Sequence, residues 1–249
     1  MNLEKPQESS PLGEHPAPAE AQPLGDGTVV RPYRAEDRPE VRRICADTGW
    51  LGEPIDGVFQ DRELFADFLT TYYLDYEPDS CWVAERDGRI VAYAMGSVRP
   101  ERHRKLTKRI AWRCGLKGAW RLLTGRYNRA TRKFIGWILF RAGKEEPEAL
   151  PDAAHMHWNM LPEARGTEVG KCFLESFVRH ARASGMKKMY GHMTIPPGKR
   201  STRIFERMGW QEIDRKEQTK FRGFTEGKVY TITLFRPLDE PTGRARTES

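Results

Sequence analysis

The 249-residue chain predicts a mixed α/β (α+β) domain, a mostly antiparallel sheet flanked by helices and interrupted by a basic helical insertion. Three observations lead there. Segments with helical apolar period alternate with short segments of strand period. Asp87-Gly88 sits between two apolar runs, the signature of a type I′ hairpin turn. A strand–turn–helix unit spans His155–Gly185.

Residues 1–27 hold five prolines and little apolar content, so they read as a disordered leader, and 238–249 as a disordered tail. The folded part is then 28–237. Thr28–Tyr33 reads as a strand. A helix follows over Ala35–Thr48, with Val41, Ile44 and Cys45 on one face and Gly49 as its stop. After the loop Trp50–Phe59, Asp61 caps a second helix whose Leu64, Phe65, Phe68, Leu69 and Tyr72 recur with helical period. Cys81–Arg86 and Ile90–Val98 form the hairpin.

The basic insertion, 99–150, comes next. Residues 99–144 carry fifteen Lys or Arg against one acidic residue, Glu101, so a net charge of +7 conceals an acidic remainder. Trp112, Leu116, Trp120, Leu122 and Leu123 interleave with the cations, predicting two or three amphipathic helices broken near Gly125 and Gly143. Three readings stay open for this segment: a solvated, locally paired face, a surface for an anionic partner, or a helix lying on a membrane.

Strands are then expected at Ala153–Leu161, Lys188–Thr194, Gln211–Phe221 and Lys228–Arg236. Helices are expected at Thr167–Ser184, closed by Gly185, and at Thr202–Met208. No apolar run reaches the roughly 20 residues that span a bilayer, and no secretory signal is present, so a cytoplasmic protein is expected. The four cysteines have no metal-like or disulfide-like spacing and read as buried thiols.

The candidate chemistry lies in His155–Lys171. Strand period puts His155, His157 and Asn159 on one face and Met156, Trp158 and Met160 on the other. Pairing should end at Pro162, and the chain then enters a helix whose first N–H groups are unpaired and whose dipole is positive. Such a start, reached through Arg165-Gly166, is able to bind a pyrophosphate. His157 is the first candidate for a general base and His155 the second, because an ordinary imidazole titrates near pH 6.5. The His-x-His pair lacks an acidic or thiol partner at matching spacing, so no metal is expected.

Pro162, Glu163, Arg165, Gly166 and Gly170, with Ile204, Glu206, Gly209 and Trp210 downstream, resemble the acyl-CoA motif and late helix of the GNAT family of acetyl-CoA-dependent N-acetyltransferases. Thr48–Phe59 and His155–Asn159 are similar to a bacterial branch related to the acetyltransferase-like domain of O-GlcNAc hydrolases. The resemblance implies a GNAT fold with a splayed sheet, and acetyl transfer from acetyl-CoA to a primary amine of a small molecule or peptide. It implies that main-chain groups of Met160 and Leu161 pair with pantetheine. The N–H groups of Arg165, Gly166, Thr167, Glu168, Val169, Gly170 and Lys171 would hold the pyrophosphate. It makes His157, His155, Asn159 and Tyr190 the candidate catalytic residues, with His192 the alternative to Tyr190 as the acid, and Glu53 and Asp56 of the Trp50–Phe59 loop candidates for holding a cationic amine. Homodimerisation is a further expectation. The pattern is departed from at Glu168, where the motif has glycine, and at Phe205, where the family's general acid is Tyr. The alternative reading is a catalytically silent module of the same fold that binds an anionic partner or membrane through the insertion.

Overall fold

Among the described residues seven strand pairings hold the sheet together, and all but one are antiparallel. A computed structural model of the chain describes residues 21–198, 205–206 and 208–238. Its eight strands are β1 Gln22–Pro23, β2 Val29–Pro32, β3 Cys81–Arg86, β4 Arg89–Ser97, β5 Ala154–Met160, β6 Lys188–Ile195, β7 Gln211–Glu217 and β8 Tyr230–Pro237. They lie in the order β1-β2-β3-β4-β5-β6-β8-β7. The helices are α1 Arg38–Asp47, α2 Arg62–Tyr76, α3 Pro100–Leu123, α4 Arg129–Trp137, α5 Gly143–Glu145 and α6 Val169–Ala183.

Local chemistry accounts for the boundaries. Asp61 accepts the Leu64 N–H at 3.2 Å and starts α2. Asp87 and Gly88 both adopt positive φ (50° and 74°), the geometry a two-residue I′ turn requires between β3 and β4. Gly185, at φ +78°, closes α6 with the paired bonds Met186 N–H to Ala181 O and Gly185 N–H to Arg182 O.

Two expectations are corrected here. Gln22–Pro23 pairs with Val29–Val30, so the ordered sheet begins inside the stretch read as a leader. The insertion breaks at Gly125, which takes φ +69°, but runs on through Gly143 by way of a π-helical turn at Ile138–Ala142. The last two strands are also shifted: β7 stops early, at Glu217, where a short 3-10 turn follows at Thr219–Phe221, and β8 starts late, at Tyr230. The helix expected over Thr202–Met208 falls largely outside the described residues; Phe205 and Glu206 are helical.

α6 packs on one face of the sheet, where Trp82, Phe173, Phe177 and Met189 are buried together. The opposite face packs against α1 and α2 through Val41, Ile44, Tyr72, Tyr93 and Met95. A third cluster joins Trp50, Ile55, Phe59 and Leu64 to Phe221 and Val229, with Phe134 of the insertion against it. All four cysteines are free thiols; Cys45, Cys81 and Cys172 are buried.

Glu77, fully buried, organises the junction of α2, β3, β4 and α3. It accepts the Tyr72 hydroxyl at 2.5 Å, the Ser97 hydroxyl at 2.7 Å, the Val98 N–H at 2.7 Å and the Ser80 hydroxyl at 3.2 Å. Ser97 in turn accepts the N–H of Arg99, the residue before α3. Buried donors deprived of an acceptor keep their full desolvation cost. Glu77→Ala is therefore expected to lower the unfolding free energy by about 3 kcal/mol or more. Urea denaturation measures this, and a loss below about 1 kcal/mol would show the junction to be held by packing alone.

Candidate functional site

Among the described strands β5 and β6 form the one parallel pair, and they stay paired for only two rungs, Ala154↔Met189 and His155↔Tyr190. Beyond that vertex they diverge while β5 remains bonded to β4 out to Met160, and β6 to β8 out to Ile195. The result is a fork whose inner edges have no strand partner among the described residues. At the vertex Gly191 lies so close to β5 that a Cβ would meet the Met156 carbonyl oxygen at 3.0 Å.

Register decides which main-chain groups face the fork. Leu161 donates its N–H to Val91 O at 2.9 Å. Antiparallel alternation then turns the polar groups of Asn159 and His157 toward β4, and those of Met160, Trp158 and Met156 toward the fork. The Leu161 N–H, expected at the cleft, is spent on β4, whereas the main-chain groups of Met160 and Trp158 face the fork. On the α6 side the arms are lined by Trp158, Met160, Met193 and Ile195.

The other side of both arms carries imidazoles. His155 stands at the vertex, its ring 4.8 Å from Tyr190 and 6.0 Å from His192; His157 is one step along β5, 5.9 Å from His155. Tyr73, from α2, links His155 Nδ1 at 3.1 Å to Nε2 of His103 at 3.0 Å. His103 belongs to α3, so the insertion contributes a side chain to the cluster. Neither Tyr73 nor His103 is visible as a site residue in the sequence. Tyr73 is one apolar-face position of a helix, and His103 lies in a run of cations.

Burial sets the protonation of this cluster. His157 is lowered to about 4, first by burial and then by His103 and His192. His155 is pushed well below its ordinary value by burial and by the other imidazoles, and His103 and His192 are lowered by burial. Burial raises Tyr190 to about 12. At neutral pH the site thus holds neutral imidazoles and protonated phenols, and His157 is not the base near pH 6.5 that its ordinary value predicts. Among the described residues no group of His, Cys, Asp and Glu is arranged to hold a metal ion.

Asn159 plays a different part, since its amide donates to Thr48 Oγ at 2.7 Å and so anchors β5 to the end of α1. Asp56 is engaged by Arg62, which also binds Asp47. Of the two loop carboxylates proposed for an amine, only Glu53 lacks a cationic partner among the described residues; it is exposed. Trp50 of that loop is instead the hub of an aromatic wall, 4.4 Å from Phe221, 5.3 Å from Phe224 and 5.9 Å from Phe134. The wall is closed by Glu145, which accepts the Thr219 N–H at 2.7 Å and the Trp137 indole N–H at 2.8 Å. Beside it, the Lys220 ammonium lies 4.7 Å over Trp137, and burial lowers it to about 8.

At the outer end of β5 the turn Pro162–Ala164 leads to Gly166 (φ +77°) and into α6. The Arg165 N–H is taken by Pro162 O, and that of Val169 by Thr167 Oγ, so neither faces a ligand. The N–H groups of Gly166, Thr167, Glu168, Gly170 and Lys171 have no acceptor among the described residues. The Arg165 guanidinium donates to Gly52 O at 2.7 Å and Met160 O at 3.2 Å, bolting the Trp50–Phe59 loop to the fork. Gly170 lets α6 close on β5, since a Cβ would sit 3.2 Å from the Met160 methyl. The Glu168 side chain is 72% exposed and pairs with Lys171 at 3.6 Å. Phe205 packs against the α6-side core. A charged groove of about 730 Å³ near Arg31, Glu40, Arg89 and Glu163 contains none of the fork's imidazoles.

No protein-family model matches the sequence, and no curated protein does. Among solved structures, one designated SsHAT is 22% identical, aligned over 86% of this chain and 100% of that one with a TM-score of 0.53. The polyamine N-acetyltransferase of Drosophila melanogaster is 18% identical over 84% of this chain and 99% of that one, with a TM-score of 0.49. A GNAT-superfamily phosphinothricin acetyltransferase from Sinorhizobium meliloti, solved with acetyl-CoA, is 19% identical over 90% and 95%, with a TM-score of 0.46. At these identities the likeness is one of fold. The eight-strand, mostly antiparallel sheet flanked by helices is the GNAT fold.

The depressed imidazoles make stability depend on acid. A histidine with a folded pKa below its unfolded value binds fewer protons in the native state, so its unfavourable effect is absent above pH 6.5 and grows as pH falls toward the folded pKa. His157, at about 4, should cost about 2 kcal/mol at pH 5 relative to neutral pH. Thermal melts between pH 7.5 and pH 5 are expected to fall in that window, and His157→Gln to flatten the fall. Equal slopes in the two proteins would show that His157 is not held neutral by the fold.

Proposed function

We propose that the chain is an acetyl-CoA-dependent N-acetyltransferase acting on a primary amine of a small molecule or peptide. The observation that carries this reading is the fork. One edge offers unpaired main-chain groups, one face is apolar and the other holds neutral imidazoles, and an open helix start lies at its mouth.

The residues present fit the co-substrate. Main-chain groups of Trp158 and the N–H of Met160, whose carbonyl accepts Arg165, are turned to receive the amides of an extended pantetheine, and Trp158, Met160 and Met193 form an apolar bed for it. The free N–H groups of Gly166, Thr167, Glu168, Gly170 and Lys171 suit a diphosphate at the positive end of α6. Acetyl-CoA supplies an activated acyl thioester when bound. His157, neutral at pH 7, offers a lone pair to the acceptor's N–H and takes its proton. A base with a pKa of about 4 holds that proton weakly, and the neighbouring series His155–Tyr73–His103 provides hydrogen-bonded groups to share it. Tyr190 keeps its proton to high pH and is placed at the vertex to donate a hydrogen bond where negative charge departs. Glu53 is the loop carboxylate free to attract a cationic amine. Kinship with the bacterial branch named above rests on Thr48–Phe59 and His155–Asn159.

A second reading, a silent module of the same fold, rests on Phe205, a core residue that has no proton to give. Thermal shift with acetyl-CoA followed by a CoA-release assay across amine classes separates the two. A stabilisation near 2.7 kcal/mol at hundredfold excess over the dissociation constant, with CoA released, is the expected result. Stabilisation without release of CoA would favour the silent module, and no shift at millimolar acetyl-CoA would sink the enzyme reading and leave only the module, which needs no acyl-CoA site. His157→Ala should lower kcat by about a hundredfold or more and leave the shift intact. Glu168→Gly should tighten acetyl-CoA by no more than about fivefold, because this carboxylate faces solvent.

A further inference from the structure

α3 is held by one face and leaves the other bare. Ile110 is buried, Leu106 and Cys114 pack beside it, and Lys117 and Arg121 pair with Asp67 and Asp61 on or next to α2. Those contacts fix which way the helix is turned. On the far side Trp112, Leu116, Trp120 and Leu123 fall within roughly 80° of arc. They are 69%, 54%, 65% and 83% exposed. The π-helical turn of the same insertion exposes Ile138, Leu139 and Phe140 as well. Together these make seven of the eleven large exposed apolar side chains among the described residues, so the exposure is concentrated on one segment. Single exposed leucines are ordinary, whereas a contiguous apolar face rimmed with charge marks a surface that meets something.

We propose that this face of α3 docks the protein on the surface of an anionic phospholipid bilayer. The rim supports that occupant. Toward the N-terminal half, the apolar arc is continued and flanked by Lys105, Lys108, Arg109 and Arg113, all exposed and without a carboxylate partner among the described residues. The only acidic residue on the helix is Glu101. Tryptophan and leucine backed by cations suit the boundary between headgroups and acyl chains, where indole N–H groups stay wet and aliphatic side chains leave water. A nucleic acid would satisfy the cations and stack on the tryptophans but would leave Leu116 and Leu123 without a dry partner. A second copy would bring two strongly cationic faces together. No helix among the described residues is long and apolar enough to cross a membrane, so the contact is one of lying on the surface. The inference uses the side of α3 opposite His103 and does not depend on acyl transfer.

The full chain is tested by co-sedimentation with vesicles of phosphatidylcholine alone and of phosphatidylcholine with phosphatidylserine. Binding to the second and not the first is expected, weakened by salt but not abolished. Lys105→Gln with Arg109→Gln should reduce partitioning by about twenty-five-fold, each cation contributing about fivefold. Trp112→Ser, Leu116→Ser and Trp120→Ser together should reduce it at least tenfold. Circular dichroism and the melting temperature should stay unchanged, because all three side chains are exposed. Leu116→Ser alone, expected to weaken binding measurably, serves if the triple variant fails to fold. The proposal is overturned if anionic vesicles do not bind. It is equally overturned if the serine variants bind them as well as the parent, if an RNA oligomer competes them away, or if light scattering shows that the triple variant merely dissociates a dimer.

Discussion

Two rungs of parallel pairing hold β5 to β6, and the molecule is arranged around the place where they part. β5 cannot follow β6 beyond His155↔Tyr190 because it continues to pair with β4, while β6 continues to pair with β8. Each arm is therefore anchored on its outer edge and, among the described residues, has no strand partner on its inner one. Bare main-chain groups in a protein interior are costly, so a fork of this kind needs water or a ligand to complete it. The same divergence assigns faces. Alternation along both arms sends Trp158, Met160, Met193 and Ile195 toward α6 and the imidazoles toward α2. A chemically sided cleft thus follows from strand period alone once the vertex is set.

Two buried polar systems brace that vertex, and α3 is common to both. Glu77 gathers Tyr72, Ser80, Ser97 and the Val98 N–H at the point where β4 hands the chain to α3. One turn later, His103 of α3 meets Tyr73, the neighbour of Tyr72 in α2, and through it His155. The insertion is therefore no appendage hung from a loop. Its first turn closes the imidazole cluster, and its last, through Glu145, fixes the start of the 3-10 turn at Thr219. Between these ends, Gln60 joins it to the second loop of the fold by accepting the Asn128 N–H and donating to Arg126 O.

Much of this was legible in the residues. The I′ turn at Asp87-Gly88, the Asp61 cap, the Gly185 stop and the two faces of β5 are local consequences of side-chain chemistry, and the structure reproduces each. What sequence does not carry is the partner across a gap. Strand period orders side chains, but whether Leu161 or Met160 turns its main chain to the fork depends on the register with Val91. The role of Asp56 was obscured because Arg62 arrives from the next helix to claim it. The basicity expected of His157 failed for a related reason. An imidazole's ordinary value belongs to water, and His103 and Tyr73 come from distant segments to remove that water. Gly143 misled in a simpler way, since a π-helical turn carries the helix through it.

Gly191 sits at the vertex with the Met156 carbonyl only 3.0 Å from where a side chain would begin. The contact is with main chain, which has little freedom to move aside. In the language of descent, this makes the apex the more constrained point between two arms. Residues lining the fork are open to exchange, each new side chain reshaping what the cleft admits. The apex is less free, because a carbon added at Gly191 would press on the Met156 carbonyl and ask the two strands to give by a few tenths of an ångström. Variation in what the cleft recognises is thus channelled outward, away from the hinge of the fork and along its limbs.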